Sequence, residues 1–182
     1  SRKRFKEMTW NQAVVTFIAL GAATLSNLQS ASALDMKPVL PTKLATKAAV
    51  EALETCKNKG YSVTATVIEP NGTILVTLRE QEAGPHTIEN SFNKAYTVSS
   101  FGRISGFSST NQLINASKGK NAIGAFPLPA APLYGLSYSD GGLSINSNGQ
   151  LIGAIGVSGS KSGGIDNECA QAGLQTIQDD LD

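Results

Sequence analysis

The chain has 182 residues, a length that favours one domain with a sizeable core. Its formal net charge of +1 becomes −2 for residues 34–182, because Lys+Arg falls from 15 to 11 and Asp+Glu from 14 to 13. Residues 34–182 carry no basic patch, which argues against nucleic acid as a partner.

The first 33 residues have the pattern of a secretory signal peptide. Basic residues cluster between positions 2 and 6, an apolar run covers 13–25, and Ala31-Ser32-Ala33 fits a small-residue cleavage site. The apolar run is shorter than the ~20 residues of a membrane span. We expect processing after Ala33, a single domain over 34–182 without a stable membrane span, and a periplasmic or secreted location. The alternatives are an uncleaved anchor and a plain amphipathic helix.

The mature chain opens with a predicted helix over 41–59, where apolar residues recur at three- and four-residue spacings before Gly60. Strands are predicted over 62–69 and 73–79, joined by a turn at Pro70-Asn71-Gly72. Thr87 is expected to cap a second helix. One face of that helix carries Ile88, Phe92, Ala95, Tyr96 and Ser99.

A short third helix is predicted over 109–117, followed by an irregular segment over 118–140 that several prolines interrupt. Within that segment the apolar stretch Ala125–Leu133 would be costly to leave in water. It is expected to pack on the domain, to cover a ligand or to form a subunit contact.

The last elements form a hairpin and a helix. Asn148-Gly149 supplies the positive φ that a tight turn needs between two strands, the second of which runs from Leu151 to Val157. Glycines within that strand indicate the close approach of another element. Asp166 is expected to cap a helix over 166–181. The order of elements predicts an antiparallel sheet flanked by helices.

Cys56 and Cys169 are too few for a zinc site with tetrahedral spacing. In an oxidising compartment they can form a disulfide. The bond requires the first and last helices to lie antiparallel on one face of the sheet. The alternative is two buried thiols that act as small hydrophobes.

Two separated motifs resemble the GlcG/HbpS-like family, a haem-degrading family also called DUF336. One is G-G-L-S-I at 141–145 with N-G-Q-L-I-G-A-I-G-V-S-G at 148–159, and the other is R-x-x-x-A-G-P-H-T at 79–87 with K-A-Y-T at 94–97. The resemblance covers roughly residues 40–181. It implies an α+β fold, a profilin-like α/β/α sandwich with an antiparallel sheet, together with homo-oligomers and, in some members, the binding or degradation of haem.

Four residues of the second motif are candidate cofactor-binding residues: Arg79, His86, Thr87 and Lys94. His86 is the only histidine, so ligation of haem iron by an imidazole depends on it. The alternative for His86 is a loop residue that only hydrogen-bonds the backbone. Tyr96 offers a phenolate, although its place on an apolar helical face favours core packing.

Arg79 and Lys94 carry the positive charge that would pair with haem propionates. The alternatives are a salt bridge from either residue to a nearby glutamate, and a structural bond from Lys94 to a loop carbonyl.

Three functions remain open. The first is an exported protein that binds haem or a related tetrapyrrole, and the second is an extracytoplasmic sensory or partner-binding module without catalysis. The third is a haem-degrading enzyme. The sequence contains no evident redox or acid–base constellation, which ranks the enzyme last.

Overall fold

A computed structural model describes residues 37–117, 122–123, 126–127 and 134–181. The predicted signal peptide and most of the Ala125–Leu133 stretch lie outside these residues. The elements of the described part are α1 (Thr42–Asn58), β1 (Thr64–Ile68), β2 (Ile74–Arg79), α2 (Thr87–Ser105), α3 (Thr110–Ser117), β3 (Ala122–Ile123), β4 (Phe126–Pro127), β5 (Gly142–Ser147), β6 (Gln150–Ser158), α4 (Gly163–Gln175) and a 3₁₀ helix (Gln178–Asp180).

Four strands form one antiparallel sheet in the order β2-β1-β6-β5. The β5–β6 hairpin turns at Asn148 and Gly149, whose φ angles are 48° and 77°, so the predicted turn is confirmed. The two-residue strands β3 and β4 pair separately within the segment that was predicted to be irregular. The antiparallel sheet with flanking helices is the predicted α+β fold.

Helices α1 and α4 cover one face of the sheet and lie antiparallel, since Lys59 pairs with Glu168 at one end and Lys47 with Asp180 at the other. Alternate residues of β1 and β6 point at these helices and build the main apolar core. Cys56 and Cys169 are both fully buried there and form a disulfide, with Cα atoms 5.5 Å apart. The predicted bridge is therefore confirmed.

Helix α2 covers the opposite face and lies very close to β6. A side chain at Gly156 would collide with the backbone carbonyl of Ser91 and would come within 2.8 Å of the Ala95 nitrogen. The prediction that a glycine in this strand marks a close approach is confirmed at this position.

Two predicted helix caps are wrong. Helix α2 already begins at Thr87, whose hydroxyl donates to the Gly84 carbonyl at 2.6 Å instead of capping the helix. Helix α4 begins at Gly163 and is capped by Ser162, which accepts a hydrogen bond from the Ile165 nitrogen at 3.4 Å. Asp166 lies inside this helix, and its side chain points into the protein.

Candidate functional site

Among the described residues, no helix covers the edge strand β2 on the α2 side of the sheet. Helix α2 packs mainly on β6, β1 and β5, while β2 forms the edge of the sheet. The helix runs parallel to β1, because the Thr64 hydroxyl contacts Thr87 at 2.7 Å and the Thr66 hydroxyl contacts Ser91 at 2.8 Å.

Asn90 and Lys94 bond residues of β6 from one side of the helix. Ile88, Phe92 and Tyr96 lie two positions from them, which is about 200° round the helix, and so are on the opposite side, towards β2.

Ile88, Phe92 and Tyr96 of α2 and the adjoining face of β2 border an apolar surface, which we call the trough. Phe92 and Tyr96 stack with ring centroids 5.5 Å apart and pack on Ile68 of β1. Solvent reaches the trough at Ile74 and Ile88, which are 52% and 49% exposed. We define the trough by Ile74, Thr77, Ile88, Phe92 and Tyr96. The position of Tyr96 agrees with the packing role that its helical face predicts.

The segment 79–87 connects the end of β2 to the start of α2, beside the trough. Arg79 ends β2, and its guanidinium donates a hydrogen bond to the Ala83 carbonyl. The Ala83 nitrogen donates in turn to the Glu80 carbonyl at 3.0 Å. His86 is exposed at the start of α2, and its imidazole lies against Gly84, where an added Cβ would be 2.8 Å from His86 Cε1.

The four predicted cofactor-binding residues divide into two pairs. Arg79 and His86 are exposed near the trough, whereas Thr87 and Lys94 are buried. The Lys94 side chain is 1% exposed and donates to Asp166 Oδ2 at 2.7 Å and to the Val157 carbonyl at 2.8 Å. Lys94 therefore makes structural bonds, but its partners are a carbonyl of strand β6 and the Asp166 carboxylate, not a loop carbonyl or a nearby glutamate.

The Lys94–Asp166 pair lies in the interior between α2, the end of β6 and α4. Asp166 Oδ1 also accepts from the Ser160 nitrogen at 3.0 Å, so the pair holds the loop that leads into α4. Burial lowers the pKa of the Lys94 ammonium below its usual range, and the carboxylates of Asp166 and Asp140 act against that shift.

Sequence reasoning missed the polar groups around this pair. Asn90 donates to Ser158 at 2.8 Å and accepts from Ser137 at 3.1 Å, which joins α2 to β6 and to the segment before β5. Burial also raises the pKa of the Tyr138 hydroxyl. In the sequence these groups are marked only by a run of polar residues at 137–140. That run does not show which residues they hydrogen-bond.

Among the described residues, no group of three or more His, Cys, Asp or Glu side chains is placed to hold a metal ion. None of the helices described here has the length and apolar character needed to cross a membrane.

The fold and this site define a small α+β domain. Helix α2 covers one face of an antiparallel sheet, α1 and α4 cover the other, and an apolar trough lies beside the segment that carries His86. The family model described as haem degrading protein HbpS-like matches residues 40–175, and the chain belongs to this family. No curated protein sequence matches the chain significantly.

Solved structures share the fold. The chain is 30% identical to HbpS, with a TM-score of 0.67 and coverage of 79% of this chain and 94% of that one. It is 29% identical to a double mutant of HbpS from Streptomyces reticuli, with the same TM-score and coverage of 79% and 90%. A PduOC–haem complex has 23% identity, a TM-score of 0.62 and coverage of 77% and 96%.

Proposed function

We propose that this chain is an exported haem-binding protein, in which the residues of the trough would bury the tetrapyrrole and His86 would be the ligand of its iron. The observation that carries the proposal is an apolar trough, open to solvent at Ile74 and Ile88, beside the segment 79–87 that carries the chain's only histidine. A tetrapyrrole is flat and largely apolar, so its burial against these side chains is favourable. When bound, haem supplies a redox-active iron to which an imidazole can coordinate.

The exposed Arg79 is the partner proposed for a propionate. One of its N–H groups is used by the Ala83 carbonyl, and a guanidinium has further donors for a carboxylate. Thr87 and Lys94 were predicted to contact the cofactor directly. Their burial and hydrogen bonds favour a supporting role, in which they hold α2 and segment 79–87 in place.

Haem degradation is the second candidate function, because the family description names it. Incubation of the haem-loaded protein with a reductant separates the two functions. A biliverdin-like product indicates degradation, whereas an unchanged Soret band indicates binding alone. A sensory module without catalysis would also leave haem intact. The absence of a Soret band on titration with haemin would favour a module that does not bind haem.

Export to the periplasm or the medium is the location we propose. The signal-peptide pattern supports it, and so does the Cys56–Cys169 bond, since disulfides persist in oxidising compartments. Mass spectrometry of exported protein should give an N-terminus at or near Leu34. An intact Ser1 on exported protein would contradict processing after Ala33.

Assembly into homo-oligomers is proposed from the apolar composition of Ala125–Leu133 and from Tyr134, which follows that stretch and is 97% exposed. Light scattering at micromolar concentration should give a mass above that of the monomer. Phe126→Asp should lower that mass if the stretch lies in a subunit contact.

Titration with haemin tests the site. His86→Ala should weaken binding at least ten-fold, equivalent to ~1.4 kcal/mol, and should shift the Soret maximum, because the axial ligand is lost. Ile88→Asp should weaken binding by about ten-fold as well, since it places a charge in the trough. Val50→Asp is the matched control, because Val50 is 46% exposed on α1, across the sheet from the trough. If Ile88→Asp and Val50→Asp bind haemin equally well, the trough is not the site.

A further inference from the structure

We propose that Thr64 is a positioning residue for His86, and that it acts through the hydroxyl of Thr87 on the Gly84 carbonyl. The effect on the position of the imidazole is independent of any ligand. Its consequence for haem rests on the function proposed above.

Two hydroxyl groups connect the sheet to the segment that carries His86. Thr87 Oγ1 donates to the Gly84 carbonyl at 2.6 Å, and it lies 2.7 Å from Thr64 Oγ1. A hydroxyl has one proton, so Thr64 must be the donor in the second contact. The Thr87 nitrogen also donates to the Gly84 carbonyl, at 3.0 Å. Both threonines are fully buried, where hydrogen bonds are not exchanged for bonds to water.

Gly84 passes this constraint to the imidazole. The ring of His86 lies so close to Gly84 that an added Cβ would be 2.8 Å from Cε1 and 2.9 Å from Nδ1. A shift of the Gly84 peptide therefore changes the surface against which the ring lies. The opposite side of the segment is held by Arg79 and Glu80, which bond Ala83 and do not reach Gly84 in the described contacts.

Thr64 is a rigid reference point for this connection. It lies in β1, a central strand, and is paired with Arg79 of β2 on one side and with Ser158 of β6 on the other. The next threonine on the same face, Thr66, makes similar hydroxyl contacts, but these lead to the Ile88 carbonyl and not to Gly84. Thr66 Oγ1 lies 3.1 Å from Thr77 Oγ1 and 2.8 Å from Ser91 Oγ. The Ser91 hydroxyl donates to the Ile88 carbonyl.

This arrangement supplies a matched control. Thr64→Val and Thr66→Val each remove one buried hydroxyl from the same strand and the same face, at nearly constant volume. Only the first removes the donor to Thr87. Thr64→Ser restores the hydroxyl and should restore the wild-type behaviour.

The first measurement is made without ligand. His86 is the only histidine, so untagged protein gives a single set of imidazole signals in NMR spectra. Thr64→Val should shift or broaden these signals and raise the exchange rate of the Thr87 amide by about ten-fold or more, because local opening becomes easier. Thr66→Val and Thr64→Ser should leave the imidazole signals as in the wild type. If Thr64→Val does not fold by circular dichroism, Thr87→Val interrupts the same connection and must give the same shift.

The second measurement is a haemin titration. Thr64→Val should weaken haemin binding by about three-fold or more in the wild type and should have no further effect in a His86→Ala background. Imidazole signals that Thr64→Val and Thr87→Val leave unchanged would overturn the proposal. Signals that change in a protein that does not bind haemin would support the positioning role and would reject the proposed function.

Discussion

The two faces of the sheet are built from different interactions. On the α1/α4 side, Ala65 and Val67 of β1 and the preceding Val63 belong to an apolar core that contains the disulfide. On the α2 side the intervening residues Thr64 and Thr66 hydrogen-bond to hydroxyl groups of the helix. Apolar burial is not directional, whereas hydrogen bonds fix one arrangement. The α2 side of the sheet, which borders the candidate site, is therefore the side that directional hydrogen bonds hold in place.

This contrast also predicts how each face responds to mutation. A buried ion pair or hydroxyl group adds little net stability when it is intact, but it is costly to leave without a partner. A mutation in an apolar core lowers the free energy of unfolding by an amount that grows with the buried apolar volume that it removes.

The largest effect is expected for Lys94→Met on the α2 side. This change leaves the Asp166 carboxylate, whose side chain is 5% exposed, without its cation, and should lower the free energy of unfolding by ~3–5 kcal/mol. Chemical denaturation of the variant measures it. The double variant Lys94→Met/Asp166→Leu should recover part of the loss, because no buried charge is left without a partner, while the Ser160 nitrogen still loses its acceptor. A double variant as unstable as the single one would contradict this interpretation.

Removal of the disulfide tests the α1/α4 side. Cys56→Ala/Cys169→Ala should lower the free energy of unfolding by ~2–5 kcal/mol, because the bond joins residues 113 positions apart and restricts the unfolded chain. Denaturation with and without a reductant gives the measurement. The wild type should lose stability in the reductant, and the alanine variant should not respond. Equal stability of the oxidised wild type and the variant would show that this face does not depend on the bond.

Gly156→Ala tests how closely α2 lies on the sheet. The new methyl group would collide with the Ser91 carbonyl, so the helix must move, at a cost of ~1–3 kcal/mol. Gly164→Ala is the matched control, because its Cβ would meet only Ser162 Oγ at 4.0 Å and alanine favours a helix. Thermal unfolding compares the two. A neutral Gly156→Ala would mean that α2 can shift without loss.

The pH dependence gives the smallest expected effect. Because burial lowers the pKa of Lys94 below 10.5, the unfolded chain holds this proton to a higher pH than the folded chain does. The free energy of unfolding should therefore rise with pH through the folded-state pKa and level off above 10.5. Below the folded-state pKa the cost of the buried charge is fully present. A wild type that gains no stability relative to Lys94→Met/Asp166→Leu as the pH rises towards 10.5 would contradict this sign.

Tyr138 acts in the opposite direction. Since burial raises its pKa above 10.0, the unfolded tyrosine ionises first and stability falls above that pH. Tyr138→Phe removes this contribution and so separates it from that of Lys94.

The features that could be predicted from sequence are those with a local or compositional signal. Asn148-Gly149 specifies its own turn, and the small residue at Gly156 indicates a close neighbour before that neighbour is known. The disulfide was one of two states that two cysteines and two helices on one face allow, and the structure contains it.

The candidate site depends on contacts between distant residues, and these could not be predicted. Lys94 and Asp166 are 72 positions apart, and an acidic residue near a helix start has the local signature of a cap. The trough exists because β2 is the edge strand that α2 leaves uncovered. The order of strands along the chain does not reveal that arrangement.

The disulfide has a mechanical consequence. A pulling force applied at Thr42 and Leu181 would travel along α1 to Cys56, cross the sulfur–sulfur bond and leave along α4 from Cys169. The sheet, α2 and α3 all lie between the two cysteines in sequence, so they would carry no tension while the bond is intact. Reduction would place the same force on every strand. The covalent link thus shields the trough and His86 from any load that the chain ends transmit.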